Sequence, residues 1–180
     1  FLDGKMRIVI DARLYGLENA GLGRYAINLI DELQKIDVKN EYFVLLRKKY
    51  FNQLNFNNNW KKVLADINHY SLDEQIKLPK IIKDLKPDLV HFLHFNVPIF
   101  FKGKFIVTVH DLLIHKQKGL EATTLTPSRY FLKRLGYKFV FGNAVKKAVK
   151  VIVPSQAVKD EVCYYYKLNT EKVIVTYEGI

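Results

Sequence analysis

The segment DARLYGLENAGLGRYAINLI, residues 11–30, decides the architecture. It joins the apolar run MRIVID to a stretch of helical periodicity, and inside it GLGRYA reads as G-x-G-x-x-A. In a dinucleotide-binding fold the first glycine follows the first strand almost at once, because a tight turn brings the helix amino end onto a pyrophosphate. Here the strand ends near Asp11, and Gly21 stands ten positions further on. Such a fold also places an acid at the end of its second strand to hold a ribose, whereas the second apolar run ends in FVLLRKK, with bases. The spacing instead predicts a long loop, Arg13 to Leu22, folded over the carboxyl edge of a sheet. It ends in small residues, and the amides of Gly21, Gly23 and Arg24 open a helix running to about Asp37. Free amides and the helix dipole attract anions, and Arg24 is placed to add a charge-assisted contact to a phosphate. The alternative is that the glycines only permit a positive φ at the turn and Arg24 is solvated.

Outward from this segment, the apolar stretches are short continuous runs: MRIVID, YFVLLR, DLVHFL, FIVTVH, VIVP and VIVTYE, with KVLAD as a weaker one. Runs of this kind, separated by polar helical stretches, indicate parallel strands covered on both faces. Start signals mark the helices. SLDE at 71–74 is a capping box in which Ser71 accepts from the backbone and Glu74 reaches back, and Pro79 is expected to bend that helix or start a fresh turn. Thr126 reads as an N-cap before Pro127, and Ser155 as the cap of a helix reaching about Lys167. The sum is an open, doubly wound α/β domain: a mainly parallel, Rossmann-like sheet with helices on both faces.

With 180 residues, 49% of them hydrophobic and 26% charged, the chain has an ordinary globular composition and enough length for one full domain. That domain is expected over 5–180, with 1–4 an extension or cloning remnant. No apolar run approaches the ~18 residues that cross a bilayer, and the expectation is a soluble, cytoplasmic protein. The single cysteine, Cys163, reads as a buried helical residue rather than a nucleophile. The net charge of +11 concentrates at Arg129–Lys150, a tract without Asp or Glu, and suits an anionic partner without selecting one.

In an open α/β sheet, ligands sit beyond the carboxyl ends of the strands. His94 and Asn96 follow DLVHFL there, His110 and Asp111 end FIVTVHD, Ser155 follows VIVP, and VIVTYEG delivers Glu178 and Gly179. His110 meets the cleft with a carboxylate beside it, an arrangement suited to hydrogen bonding or proton handling; the alternative is a histidine closing a local turn. His91, in mid-strand, reads as a satisfied core residue, and His94 as a cleft contact or a surface loop residue. The histidines lack paired metal-ligand spacing, so no metal is expected, and neither a G-x-S-x-G elbow nor a P-loop occurs.

Four pieces taken in order, RIVIDARLYGLENAGLGRYAINLIDEL, EQIKLPKIIKDLKPDLVHFLHFNVP, FIVTVHDLLI and VIVPSQAVKDEVCYYYKLNTEKVIVTYEGI, resemble the amino-terminal half of the family 4 (group 1) glycosyltransferases. The similarity is strongest to bacterial mannosyl- and rhamnosyltransferase-like members that build surface polysaccharide. The resemblance implies a GT-B fold whose amino-terminal domain receives the acceptor and whose carboxyl-terminal donor domain is absent here, leaving an inactive half. It makes Gly21 and Gly23 the loop near the donor phosphates and His110 the histidine near the transferred sugar, supported by Asp111. Ser155 matches the helix-opening serine of the V-S-x-x-S segment, which VPSQAV meets only in part, and YEGI stands where many members have P-N-G-V.

The implied chemistry is transfer with retention at the anomeric carbon. A nucleotide sugar serves as co-substrate, a saccharide or lipid-linked molecule as acceptor, and no cofactor or obligatory metal takes part. The tract Arg129–Lys150 then reads as a basic amphipathic face for an anionic membrane, at the inner face of the plasma membrane; the alternative is that its aromatics are core and its lysines solvated. Two other readings compete with sugar transfer: a stand-alone anion or nucleic-acid binding module, and a dinucleotide-dependent oxidoreductase. No nucleic-acid motif is present, and a nucleic-acid partner is not expected.

Overall fold

The apolar runs of the sequence become the strands of one parallel sheet. A computed structural model of the chain describes residues 4–112 and 127–178, the side chains of 127–133 excepted. Thr126 and Gly179 lie outside the described residues, as do the side chains of Arg129 and Lys133. The strands are β1 (Arg7–Asp11), β2 (Glu41–Leu46), β3 (Trp60–Leu64), β4 (Leu89–Phe92), β5 (Phe105–Thr108), β6 (Lys150–Val153) and β7 (Val173–Val175). They lie in the order β3-β2-β1-β4-β5-β6-β7, and each neighbouring pair is parallel. The weaker run is β3, displaced a few residues toward the amino end as Trp60–Leu64.

Helices α1 (Ala20–Ile36), α2 (Lys48–Gln53), α3 (Leu72–Asp84), α4 (Pro127–Lys147) and α5 (Gln156–Tyr166) connect the strands. Side chains alternate across a strand, and the core divides accordingly. Ile8, Ile10, Val44 and Leu46 pack with Ala26 and Ile30 of α1 on one face. Val9, Val90, Phe92, Val107 and Val151 pack on the other with Leu78 and Ile82 of α3, Phe141 and Val145 of α4, and Val162 of α5.

The caps form as read. Ser71 Oγ accepts from Glu74 N at 3.1 Å, and the Glu74 carboxylate reaches back to Tyr70 N at 2.7 Å. Ser155 Oγ accepts from Val158 N at 3.3 Å and opens α5. Pro79 is the exception. It neither restarts nor ends α3, which continues from Leu72 to Asp84. The amide that proline lacks would have met only the Gln75 carbonyl, while buried Leu78 and Ile82 hold the turns on either side against the sheet.

Candidate functional site

Strand order reverses between β1 and β4, and the segments that leave their carboxyl ends meet in a crevice. The floor of that crevice is ionic. The Arg13 side chain is fully enclosed; its Nε and Nη2 each donate to Asp11 at 2.8 Å, Nη2 also to Glu74 at 2.7 Å, and Nη1 to the Ile67 carbonyl at 3.3 Å. Glu74 further accepts from Asn96 Nδ2 at 2.6 Å. One guanidinium thus ties the end of β1, the entry to α3 and the loop after β4. Burial pushes the Asp11 carboxyl up, but the charge and hydrogen bonds of Arg13 outweigh it and hold the group below its ordinary value. Burial likewise opposes the Arg13 charge, and the two carboxylates together raise it.

The rim is built by β5 and α1. Thr108 Oγ1 lies 2.8 Å from His91 Nε2 and 3.3 Å from the Tyr25 hydroxyl. Two residues beyond Thr108, His110 meets the ring of Tyr25 in a T-shaped contact, with centroids 4.8 Å apart. Its Nε2 is 3.1 Å from the Leu93 carbonyl and its Nδ1 2.9 Å from Glu178 Oε1. Along the flank of α1 runs a groove of about 610 Å³, lined among others by Gly21, Arg24, Tyr25, Asn28, His91 and Glu178. The glycine loop and His110 therefore share one rim of a parallel sheet.

The remaining expected residues divide among several roles. Gly21 is exposed and lines the groove. Gly23 is buried, and a Cβ there would run into the Gly16 carbonyl, so this glycine allows α1 to pack directly on its own loop. Gly16, at φ 116°, is the one glycine that adopts a positive φ among the described residues. Helix α1 begins at Ala20, earlier than the loop end expected at Leu22, so the Gly23 and Arg24 amides fall within its i→i−4 ladder; Arg24, its fifth residue, has an exposed side chain. Asp111 adjoins His110 in sequence, but its charge acts on Tyr137, whose hydroxyl is raised first by burial and then by Asp111. The carboxylate within hydrogen-bond distance of the imidazole is that of Glu178. Ser155 caps α5 beyond β6.

His91 is buried and bonded to Thr108, as a core histidine should be; burial, with the nearby charge of His110, lowers it to about 4. His94 packs on Phe95 with centroids 3.9 Å apart and is lowered to about 3, by burial first and then by His69 and His110. The unfolded chain protonates His91 near 6.5 and the fold only near 4. Stability is therefore expected to be lost as pH falls through that window, by roughly 3 kcal/mol from His91 alone. Urea unfolding at about pH 7 and pH 4 measures the loss, and the dependence should flatten in His91→Asn.

The Arg13–Glu74 pairing, Tyr25 and the Glu178–His110 contact were not legible in sequence. Arg13 read as the start of a loop, and Glu74 as a cap. The available signal was a pair of charged residues at the end of an otherwise apolar strand, Asp11 and Arg13, which must find partners if buried. Among the described residues no group of three or more His, Cys, Asp or Glu is placed to hold a metal ion, and no helix is long and apolar enough to cross a membrane.

The family model for Glycosyltransferase Family 4 matches residues 20–180. The O-antigen chain mannosyltransferase RfbU of Salmonella typhimurium is 22% identical over 187 aligned positions, which cover 96% of this chain and 49% of that protein. The chain thus spans about half the length of the curated relative it matches. Among solved structures, Anabaena Alr3699/HepE in complex with UDP superposes with a TM-score of 0.55 at 16% identity, over 97% of this chain and 44% of that one. A UDP-N-acetylglucosamine 2-epimerase superposes with a TM-score of 0.58 at 13% identity, over 96% of this chain and 48% of its own. At such identities the likeness is one of fold, and the fold serves both a sugar epimerase and family 4 transferases.

Proposed function

Because this chain belongs to glycosyltransferase family 4, we propose that it forms the acceptor-side lobe of a GT-B enzyme that moves a sugar from a nucleotide-sugar donor to a saccharide or lipid-linked acceptor, with retention at the anomeric carbon. The observation that carries this reading is the common rim. Gly21 and Arg24, the second and fifth residues of a 17-residue helix, share a groove with Glu178, the partner of His110. Helix amides, the dipole and a guanidinium suit the diphosphate that departs during transfer, the group on which charge develops in the transition state. In this reading a second lobe supplies the base, ribose and most of the diphosphate contacts.

The test uses the longer protein with both lobes. A panel of nucleotide sugars is offered with a lipid-linked or saccharide acceptor, and the anomeric configuration of the product is read by NMR. Net retention supports the proposal and inversion overturns its stereochemistry. Epimerised nucleotide sugar without transfer assigns the other chemistry this fold carries. In the same assay Arg24→Ala is expected to raise KM for the donor about tenfold, the worth of a charge-assisted hydrogen bond, with kcat little changed. An unaltered KM would remove Arg24 from the donor site.

The basic helix supports a location for this reaction. On α4, Tyr137 and Phe141 turn toward the core, while Leu135 and Phe139 are 49% and 63% exposed beside exposed Lys138. The described aromatics of the tract are thus divided between core and surface. The proposal places this face on anionic lipid at the cytoplasmic side of the plasma membrane, each basic residue near the surface contributing about 1 kcal/mol. Phe139→Ser and Lys138→Ser are each expected to weaken sedimentation with phosphatidylglycerol vesicles. Equal binding to neutral vesicles would overturn the electrostatic part.

A further inference from the structure

We propose that Glu178 is a positioning residue for His110: its carboxylate holds the imidazole with both ring nitrogens donating hydrogen bonds, so that a cation is fixed beside Tyr25 at the rim. This inference rests on the sugar-transfer reading for its consequence but not for its geometry. His110 Nε2 faces the Leu93 carbonyl at 3.1 Å and Nδ1 faces Glu178 Oε1 at 2.9 Å. A carbonyl and an ionised carboxylate accept hydrogen bonds and donate none, and a neutral imidazole carries a single N–H. Both bonds are made together only by a ring with hydrogen on each nitrogen. A general base at this position would need a bare nitrogen turned to the substrate, and here both are engaged.

The surroundings agree. From α1, Tyr25 meets the ring in a T-shaped contact, and its hydroxyl is bonded to Thr108. His91 and His94, whose interactions with His110 are repulsive, are both held neutral by burial down to about 4 and about 3. The charged group that faces the ring from the opposite wall is Glu178, in the segment that leaves β7 just after Thr176 N bonds the Val153 carbonyl at 2.9 Å. The His110 side chain is 15% exposed and that of Glu178 42%. The carboxylate can therefore hold the ring while contributing little to the core.

A fixed cation held by Glu178, which lines one groove with Gly21 and Arg24, stabilises the charge that develops on a departing diphosphate without moving any proton. Loss of the carboxylate leaves Nδ1 without an acceptor and frees the ring to turn. In the two-lobed protein, Glu178→Ala is expected to lower kcat about 10- to 100-fold, the cost of a misplaced group at a reacting centre, with KM for the donor little changed. Glu178→Gln keeps an acceptor for Nδ1 and should fall between the two. Nitrogen-15 spectra of the His110 ring give a readout independent of turnover: hydrogen on both nitrogens in the wild type, on Nε2 alone in Glu178→Ala. Wild-type kcat in Glu178→Ala overturns the proposal, as does a bare Nδ1 in the wild type. A wild-type protein that transfers no sugar would overturn the functional reading, while the ring spectrum would still decide the pairing.

Discussion

Replacing Arg13 by methionine is expected to destabilise the fold by about 3–5 kcal/mol, the usual cost of removing one partner from a buried ionic cluster. The change fills the volume but leaves Asp11 and Glu74 facing each other without the guanidinium that both hold at 2.8 and 2.7 Å. Two enclosed carboxylates cannot both stay ionised without a counter-charge, and the Ile67 carbonyl also loses its donor. Against a typical domain stability of about 5–15 kcal/mol, one substitution would bring the protein near its unfolding threshold. Arg13→Lys retains the charge but not the fork, and should recover only part of the loss. Denaturant midpoints with unchanged slopes would measure the effect. A loss below about 1 kcal/mol would mean that water replaces the guanidinium and that the network is not dry. Combining Arg13→Met with Asp11→Asn and Glu74→Gln should restore part of the stability, because neutral amides satisfy one another where carboxylates repel.

The second large effect falls on turnover. In the two-lobed protein, His110→Ala is expected to lower kcat about 10²- to 10³-fold, the range seen when a group aimed at developing charge is removed. The midpoint of thermal unfolding should stay nearly unchanged. The imidazole lies at the rim rather than in the core, and its contacts are one backbone carbonyl, one half-exposed carboxylate and the ring of Tyr25. His110→Gln, which can donate to the Leu93 carbonyl but carries no charge, should remain close to the alanine variant in kcat. Recovery to wild-type turnover by glutamine would assign His110 a hydrogen-bonding role and remove the cation from the mechanism. Wild-type turnover in His110→Ala would remove the residue altogether.

Much of this was legible because the relevant physics is local. Continuous apolar runs marked parallel strands, and each proved to be one. The Ser71 and Ser155 caps acted within three residues, as hydroxyl reach requires. The length of the loop before Gly21 counted against a dinucleotide turn, and the structure fills that loop with a short 3-10 turn at Leu17–Asn19. Pro79 starts no fresh turn because a local rule met a tertiary one: burial of Leu78 and Ile82 keeps the helix continuous. Gly21 and Gly23 read alike in sequence. Only the packing of Gly23 against Gly16 separates the residue that tightens the fold from the one that faces the groove.

What the sequence by itself determined was which segments are strands and helices, that the sheet is parallel, and which edge gathers the polar residues. Periodicity, capping and turn chemistry act over a few residues and leave their marks in order along the chain. The tertiary structure alone decided who pairs with whom at that edge. Arg13 meets Glu74 across 61 positions and His110 meets Glu178 across 68. Strand order and crossover connections bring segments far apart in the chain to one edge of the sheet.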